Sequence, residues 1–341
     1  RKLGKEKKAM SRHYQFETIM SLSGANADFR TPIKPSQEGL IVANLYNLLA
    51  AKSGASKISV AEIKDIKFLQ KAADDLLAAK GKSLVVSASN DVNVQLTVNA
   101  INNLLDNYGT TVNSAIPSYY RKGSDTDFLS FVEEAKSGKV GAVIFLGANP
   151  VYNHPTGAAL KTALTKVGLT VSLADRPDET TVLCGFTAPD NHFLESWTDA
   201  QPKKGFYSLG QPTISPLFKT RQALETLLTW AGNPTDAYSY VQSTWKQSVY
   251  PSQSKYSSFQ ELWDNSLHNG VLEVATSDSA AYNFDITTVG AAISSAYKAS
   301  SADIEFSIYE KIGIGTGSQA NNPWLQEFPE PVSKACWDNY V

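Results

Sequence analysis

The sequence predicts an α/β fold: an open, doubly wound, mostly parallel sheet carrying an additional α+β segment. Three observations carry that expectation. Short apolar runs without polar alternation, as in strands covered on both faces, each end in a polar turn. These runs alternate with helical patterns at the spacing of right-handed strand–helix–strand crossovers. The composition is that of a globular chain, 42% hydrophobic and 19% charged over 341 residues, long enough for two domains or one with a large extension.

The clearest run lies within K-V-G-A-V-I-F-L-G-A-N-P-V-Y-N-H-P, residues 139–155. Residues 140–146 read as a strand buried on both faces, and Gly147, Ala148, Asn149 and Pro150 as the tight turn after it. Asn149 and Pro150 are expected to hold a non-helical loop, with Pro155 opening the next helix.

Taken in order, residues 1–35 read as an irregular lead-in, with turn chemistry over 23–28. A helix capped at Ser36 follows, with Leu40, Ile41, Leu45, Leu48 and Leu49 on one face and Gly54 ending it. A second helix is expected over 60–80, carrying Ile63, Ile66, Leu69, Leu76 and Leu77, with Gly81 past its end. Strands are then expected over 83–88, 111–116, 140–146 and 169–173. Between them lie helices from Asp91 to near Gly109, over 127–136 and over 156–167. Beyond Ala174 the polar loop 175–180 leads into a proline-rich stretch, 183–217, without sustained period. Helices return over 219–230, 236–248 and 258–268, the last with Ser258 and Glu261 at capping-box spacing. Short β-like runs follow over 271–275 and 304–309, then a Gly- and Pro-rich tail. The expected domains are 1–82 (lead-in and helices), 83–182 (the parallel α/β domain) and 183–341 (helices and short strands packing on it).

Charge and composition narrow the function. A net charge of −2 gives neither a nucleic-acid footprint nor a membrane-surface patch. No apolar run approaches the about 20 residues of a membrane helix. The basic start, 1–8, has no apolar segment behind it and is not a signal peptide, while Arg1 in place of an initiator Met reads as an excised piece. Cys184 and Cys336 cannot supply the four thiolates of an iron–sulfur cluster; they read as two buried thiols, with a disulfide left open.

Three polar loops fall at expected strand ends: Ser87-Ala88-Ser89-Asn90, Gly147 to Pro150, and Asp175 to Thr180. Pointing the same way, they could line one crevice for a phosphate-bearing or nucleotide-like group, held by backbone N–H groups, Asn149 and Asp175. The plainer reading is that every doubly wound sheet has such loops, occupied or not. The first lacks G-x-G-x-x-G. Gly313-Ile314-Gly315-Thr316-Gly317 lacks the Lys-Ser/Thr pair of a phosphate loop and reads as a turn. His13, His154, His192 and His268 are scattered, none at metal-ligand spacing; His154, beside a strand-end loop, is the best placed of them for a ligand contact, the plainer reading being a capping or surface histidine. Glu195 reads as a structural carboxylate. No G-x-S-x-G, H-E-x-x-H or paired-carboxylate motif appears, so no catalytic or metal residue is assigned.

The ordered set L-G-A-N-P (146–150), D-E-T (178–180), A-P-D-N-H-F-L-E-S-W (188–197) and Q-P-T-I-S-P-L (211–217) resembles the molybdopterin oxidoreductase superfamily. There a G-x-N-P turn, an E-T-A segment, an L-P-x-x-x-x-x-E stretch and a Q-P-x-x-x-P segment occur in this order. More narrowly, S-L-S-G-A-N-A-D (21–28), Q-A-N-N-P-W-L-Q-E-F-P-E-P (319–331) and W-D-N-Y (337–340) are similar to the large molybdopterin-like, iron–sulfur protein of bacterial alternative complex III, a quinol:electron acceptor oxidoreductase.

The resemblance implies a Rossmann-like sheet, as in molybdopterin oxidoreductase central domains. It implies a molybdopterin-like half that keeps the fold without the cofactor, beside a separate iron–sulfur ferredoxin-like domain. It also implies a periplasmic location and partners in cytochrome c and membrane quinol-oxidising subunits, with no membrane insertion by this chain itself. The crevice of Gly147, Asn149, Pro150, Asp175 and Glu179 would then be a vestige of a pterin or nucleotide site. The chain departs from cofactor-binding relatives where their A-D-x-x-L-P run reads Cys184-Gly185-Phe186-Thr187-Ala188-Pro189. W-D-N-Y leads into a C-terminal barrel in the family, and the chain is expected to be cut there. Two alternatives stand beside the cofactor-less structural domain. One is a fragment of a true oxidoreductase, in which Gly147, Asn149, Asp175 and Glu179 hold molybdopterin guanine dinucleotide; the other is a nucleotide-binding module.

Overall fold

A computed structural model describes residues 6, 10–120, 123–276, 284–298 and 303–336; Arg1, most of the basic start and the W-D-N-Y motif lie outside them. Contacts divide the chain into two compact units, one of 1–114, 279–315 and 319–341, the other of 115–278 and 316–318. The division falls at 114/115 rather than at the expected 82/83. Helix contacts, and the bond from Gly81 N to Leu105 O at 2.7 Å, hold 83–113 to the first unit.

In the first unit the expected irregular lead-in holds a small sheet. Strands β1 (Tyr14–Glu17) and β2 (Phe29–Pro32) pair in parallel, Tyr14 beside Phe29. The single turn α1 (Leu22–Ala25) between them is capped by the Ser21 hydroxyl, which accepts from the Gly24 N–H. The Glu17 carboxylate fastens the ends, accepting from Arg30 Nε at 2.6 Å and Ser21 Oγ at 2.6 Å. Helix α2 (Glu38–Ser53) ends at Gly54, whose φ of 72° satisfies a left-handed cap. Ser36 does not cap it; it lies in the preceding 3-10 turn and bonds Glu305. The second helix is shorter than expected, α3 running over Leu69–Ala78. Asp65 and Phe68 take φ of 62° and 65°, which no helix admits, while Ile63 and Ile66 still pack on the core. Helix α4 (Val92–Leu104) starts as expected, with Asp91 Oδ1 accepting from Asn93 N at 2.7 Å.

The strands expected over 83–88 and 111–116 do not form. Burial alternates along 83–88, leaving Leu84 52% and Val86 75% exposed. No ladder reaches Val85, because the buried Asn102 side chain takes its backbone pair: Val85 N donates to Oδ1 at 3.0 Å and Nδ2 donates to Val85 O at 2.7 Å. Residues 107–112 are turns with one isolated bridge, Tyr108 to Val112.

In the second unit the α/β pattern is realised. Helix α5 (Asp125–Lys136), capped by Ser124, precedes β3 (Ala142–Phe145). The short α6 (Pro150–Asn153) and α7 (Gly157–Leu164) lead to β4 (Leu169–Ser172), and β5 (Phe186–Thr187) completes a parallel sheet in the order β3-β4-β5. Val132, Phe145, Leu160 and Leu164 pack on one face; Val171 and Leu173 meet Ala223 and Leu227 on the other. The strand over 140–146 is thus not buried on both faces: Ile144, registered beside Val171, is 47% exposed. Asn149-Pro150 do not hold a non-helical loop either, since Pro150 opens α6, and Pro155 starts no helix because Gly157 does.

The stretch expected to be irregular, 183–217, contains a hairpin. Strands β6 (Thr198–Lys203) and β7 (Phe206–Gly210) pair antiparallel, and β8 (Val271–Glu273) adds to β7. Helices α8 (Ala223–Trp230), α9 (Ala237–Thr244) and α10 (Phe259–Asn269) follow the expected positions, and α9 runs on into a π turn at Trp245–Val249. Ser258 caps α10 as expected, but Glu261 reaches the Ser257 N–H rather than that of Ser258. Trp245, Trp263, Leu262 and Leu272 form this core. Back in the first unit, α11 (Val289–Ala296) packs Val289 and Ile293 on Leu40 and Ala43, and α12 (Pro323–Glu327) lies in the tail. The run 304–309 forms no strand. Among the described residues no helix is long and apolar enough to cross a membrane.

Candidate functional site: the strand-end loops of the parallel sheet

Two of the three polar loops meet in the second unit, at the carboxyl ends of β3 and β4. Gly147, at φ 58°, turns the chain out of β3. Pro150 is buried and starts α6, where a missing N–H costs nothing. Asn149 sits between them and spans the gap to the second loop. Its Nδ2 donates to Glu179 Oε2 at 2.7 Å, and its Oδ1 accepts from Thr180 Oγ1 at 2.7 Å and Thr180 N at 3.2 Å. Thr180 Oγ1 in turn accepts from Val151 N at 3.1 Å, closing the brace.

Thr180 and Asp178, which the sequence reading named only as parts of the D-E-T motif and the polar loop, belong to the site. Thr180 is fully buried. Asp178 Oδ1 accepts from Thr180 N at 3.0 Å and Thr181 N at 2.6 Å, which starts the 3-10 turn Thr181–Leu183. The legible signal was the Asp-x-Thr-Thr spacing, which is turn-capping chemistry. Asp175 is turned to its neighbour: Arg176 Nη2 donates to Oδ2 at 2.8 Å and Nε to Oδ1 at 3.1 Å. That guanidinium holds the Asp175 carboxyl below the usual range. Asp190, after β5, behaves oppositely. Burial pushes its carboxyl up although it accepts from Ala223 N at 2.7 Å and Asn191 N at 2.8 Å.

The other candidates resolve into structural roles. His154 Nδ1 faces Thr156 Oγ1 at 2.8 Å, and its ring lies 4.3 Å from that of Phe128. Glu195 is buried and accepts from His192 N at 3.0 Å and Leu217 N at 3.0 Å. Cys184 and Cys336 are free thiols, both half-buried; Cys184 donates to Thr180 O, and burial raises its pKa. Ser87 to Asn90 belongs to the first unit and follows no strand, so the structure does not give it the strand-end place expected. Instead Gln95 Nε2 holds the carbonyls of Ser87 and Ser89. The glycine run at 313–317 is a series of turns. Its Gly317 presses on Tyr152, where a Cβ would lie 2.7 Å from Oη.

The molybdopterin guanine dinucleotide of the alternative reading would need donors at these loops. As arranged, the Asn149 and Thr180 side chains are already engaged within the loops. The Asn149 amide is bonded to Glu179 and Thr180, and the Thr180 hydroxyl to Asn149 and the Val151 N–H. A Cβ at Gly147 would meet nothing within 4 Å, so no close cradle surrounds it. Among the described residues no buried side-chain polar atom lacks a partner.

No family model matches the chain. Over 111 residues, 31% of this chain and 16% of the other, it is 33% identical to the menaquinone reductase, molybdopterin-binding-like subunit of Nitratidesulfovibrio vulgaris. Its fold is similar to that of acetylene hydratase from Pelobacter acetylenicus, with a TM-score of 0.56 at 10% identity over 92% of this chain and 55% of that one. The chain thus spans about half the length of the solved structure and matches about a sixth of the menaquinone reductase protein. The first likeness supports the resemblance to molybdopterin oxidoreductases over the stretch it covers, the second shows a similar fold, and the α/β class is the observed one.

Proposed function

We propose that this chain is a cofactor-less, molybdopterin-oxidoreductase-like structural domain of a membrane-associated respiratory quinone or quinol oxidoreductase, of the kind represented by alternative complex III. In that reading it is not catalytic by itself. It scaffolds an iron–sulfur ferredoxin-like domain, cytochrome c and membrane quinol-oxidising subunits on the periplasmic side. The supporting observation is the Asn149–Glu179–Thr180 brace. The residues at the strand ends, where an open α/β sheet binds its ligand, are tied to each other. A second support is the name of the relative, a "molybdopterin-binding-like" subunit of a menaquinone reductase.

The test is metal and pterin analysis of the protein purified from cells supplied with molybdate and tungstate. The expected result is far less than one molybdenum, tungsten or pterin per chain. Stoichiometric metal with pterin would replace this reading with the alternative, a fragment of a true molybdopterin enzyme.

A further inference from the structure

We infer that one exposed surface of the second unit, built from residues 191–195 and 213–221, is a docking site for a partner protein with an apolar centre and an acidic rim. The inference rests on the structural-domain reading above and names the partner's chemistry. Two segments singled out in sequence, A-P-D-N-H-F-L-E-S-W and Q-P-T-I-S-P-L, turn out to lie side by side. Leu194 O accepts from Thr213 N at 2.8 Å and Ile214 N at 3.1 Å. Glu195 Oε1 accepts from Leu217 N at 3.0 Å, and Thr220 Oγ1 donates to Asn191 Oδ1 at 2.5 Å. The surface is therefore fastened from beneath at three places, so little ordering cost attends its burial.

What it shows outward is apolar. Phe193 is 71%, Leu217 72% and Phe218 78% exposed, with Ile214 beside them. Isolated exposed apolar side chains are ordinary, but four on two bonded segments form a patch of the kind that marks interaction sites. The charges settle the sign of the partner. None of the three carboxylates near this region is left unpaired: Glu195 is 9% exposed, Asp190 is bonded to the Ala223 and Asn191 N–H groups, and Asp175 is paired with Arg176. Both cations at the patch, Lys219 and Arg221, are turned out. A chain of net charge −2 thus presents an apolar patch with a positive rim here, and electrostatic complementarity selects an acidic rim opposite.

The experiment uses the native assembly purified from the source cells. Lys219 is acetylated with an amine reagent in the assembly and in the isolated chain, and a zero-length carboxylate-to-amine cross-linker is then applied to the assembly. The expected results are at least about tenfold slower acetylation in the assembly and cross-links from Lys219 to partner carboxylates. L217S/F218S should abolish co-purification, and K219E/R221E should weaken it about tenfold with a lost salt dependence. Unchanged thermal melting of both variants excludes misfolding. Equal acetylation of Lys219 in both states overturns the inference. So does binding to phosphatidylglycerol vesicles that K219E/R221E abolishes, which would assign the patch to an anionic membrane. Neither outcome bears on pterin content, so this inference and the structural-domain reading fail separately.

Discussion

The segment 83–88 and the strand β3 are the same kind of sequence with different fates. Each is a short apolar run that ends in a polar turn, and each is followed by a helix. In β3 the run finds a neighbour, and Ala142 to Phe145 register against Leu169 to Ser172. In 83–88 the neighbour's place is taken by one side chain, the amide of Asn102, which bonds Val85 on both its N–H and its C=O. An amide carries one donor group and one acceptor, as a backbone neighbour does, so it can end a sheet before it begins. The opening left beside this segment is a groove of about 400 Å³ lined in part by Leu84, Val86, Asn99 and Thr111. A second asparagine does the converse in the other unit. Asn149 joins two loops that the sheet has already brought together.

If Asn102 is the substitute neighbour, removing it should cost the most. Asn102→Ala would strip partners from Val85 N and O, from Val98 O and from Asn107 Nδ2 at a site only 3% exposed. Urea unfolding should show a loss of about 3 kcal/mol, and exchange of the Val85 amide should accelerate. A loss below about 0.5 kcal/mol would mean that 83–88 is held by something else. Next comes Gly157→Ala. Its Cβ would lie 2.2 Å from the Val151 carbonyl oxygen, so α6 and α7 must part. The expected loss is about 2 to 3 kcal/mol by the same measurement.

Asn149→Ala sharpens the contrast, because its site is only half-buried and solvent can partly replace it. A loss of about 1 kcal/mol is expected, with the Thr180 amide exchanging faster. Equal losses at Asn102 and Asn149 would remove the distinction between a substitute strand and a loop brace. The smallest effect concerns pH. Asp175 is depressed by Arg176, so its contribution is present above the unfolded pKa and disappears as pH falls through the folded one. Asp190 is raised by burial, so its contribution is present in acid and disappears as pH rises through its folded pKa. In acid titrations of stability, Asp175→Asn should therefore flatten a fall and Asp190→Asn should flatten a gain. Asp175 is partly exposed, so its share is a few tenths of a kcal/mol.

Much of the second unit was legible because local signals and global contacts agree there. Ser258 caps its helix where the sequence places it, α5 and α9 form close to the expected ranges, and the runs at 142–145 and 169–172 pair as expected. The misses have definite physical causes. A strand signal says only that a segment is extended and apolar, and cannot tell whether a strand or an Asn102 amide will satisfy it. The helix expected from 60 failed on the left-handed Asp65 and Phe68, which nothing in the apolar spacing of Ile63, Ile66 and Leu69 reveals. The hairpin β6–β7 hid in a proline-rich stretch because its Pro202 stands beside an irregularity in the ladder rather than inside regular pairing. Of the expected crevice residues, Asn149 lies between Gly147 and Pro150 and bonds Glu179, while Asp175 pairs with Arg176. Their mutual bonding was not readable, since sequence shows which groups are polar but not which are already satisfied.

The central claim is that the strand-end polar groups hold each other rather than a guest. Calorimetric titration of the purified chain with molybdopterin guanine dinucleotide tests it most directly. The account predicts no saturable heat in the wild-type protein. Saturable binding that disappears in Asn149→Ala would contradict it.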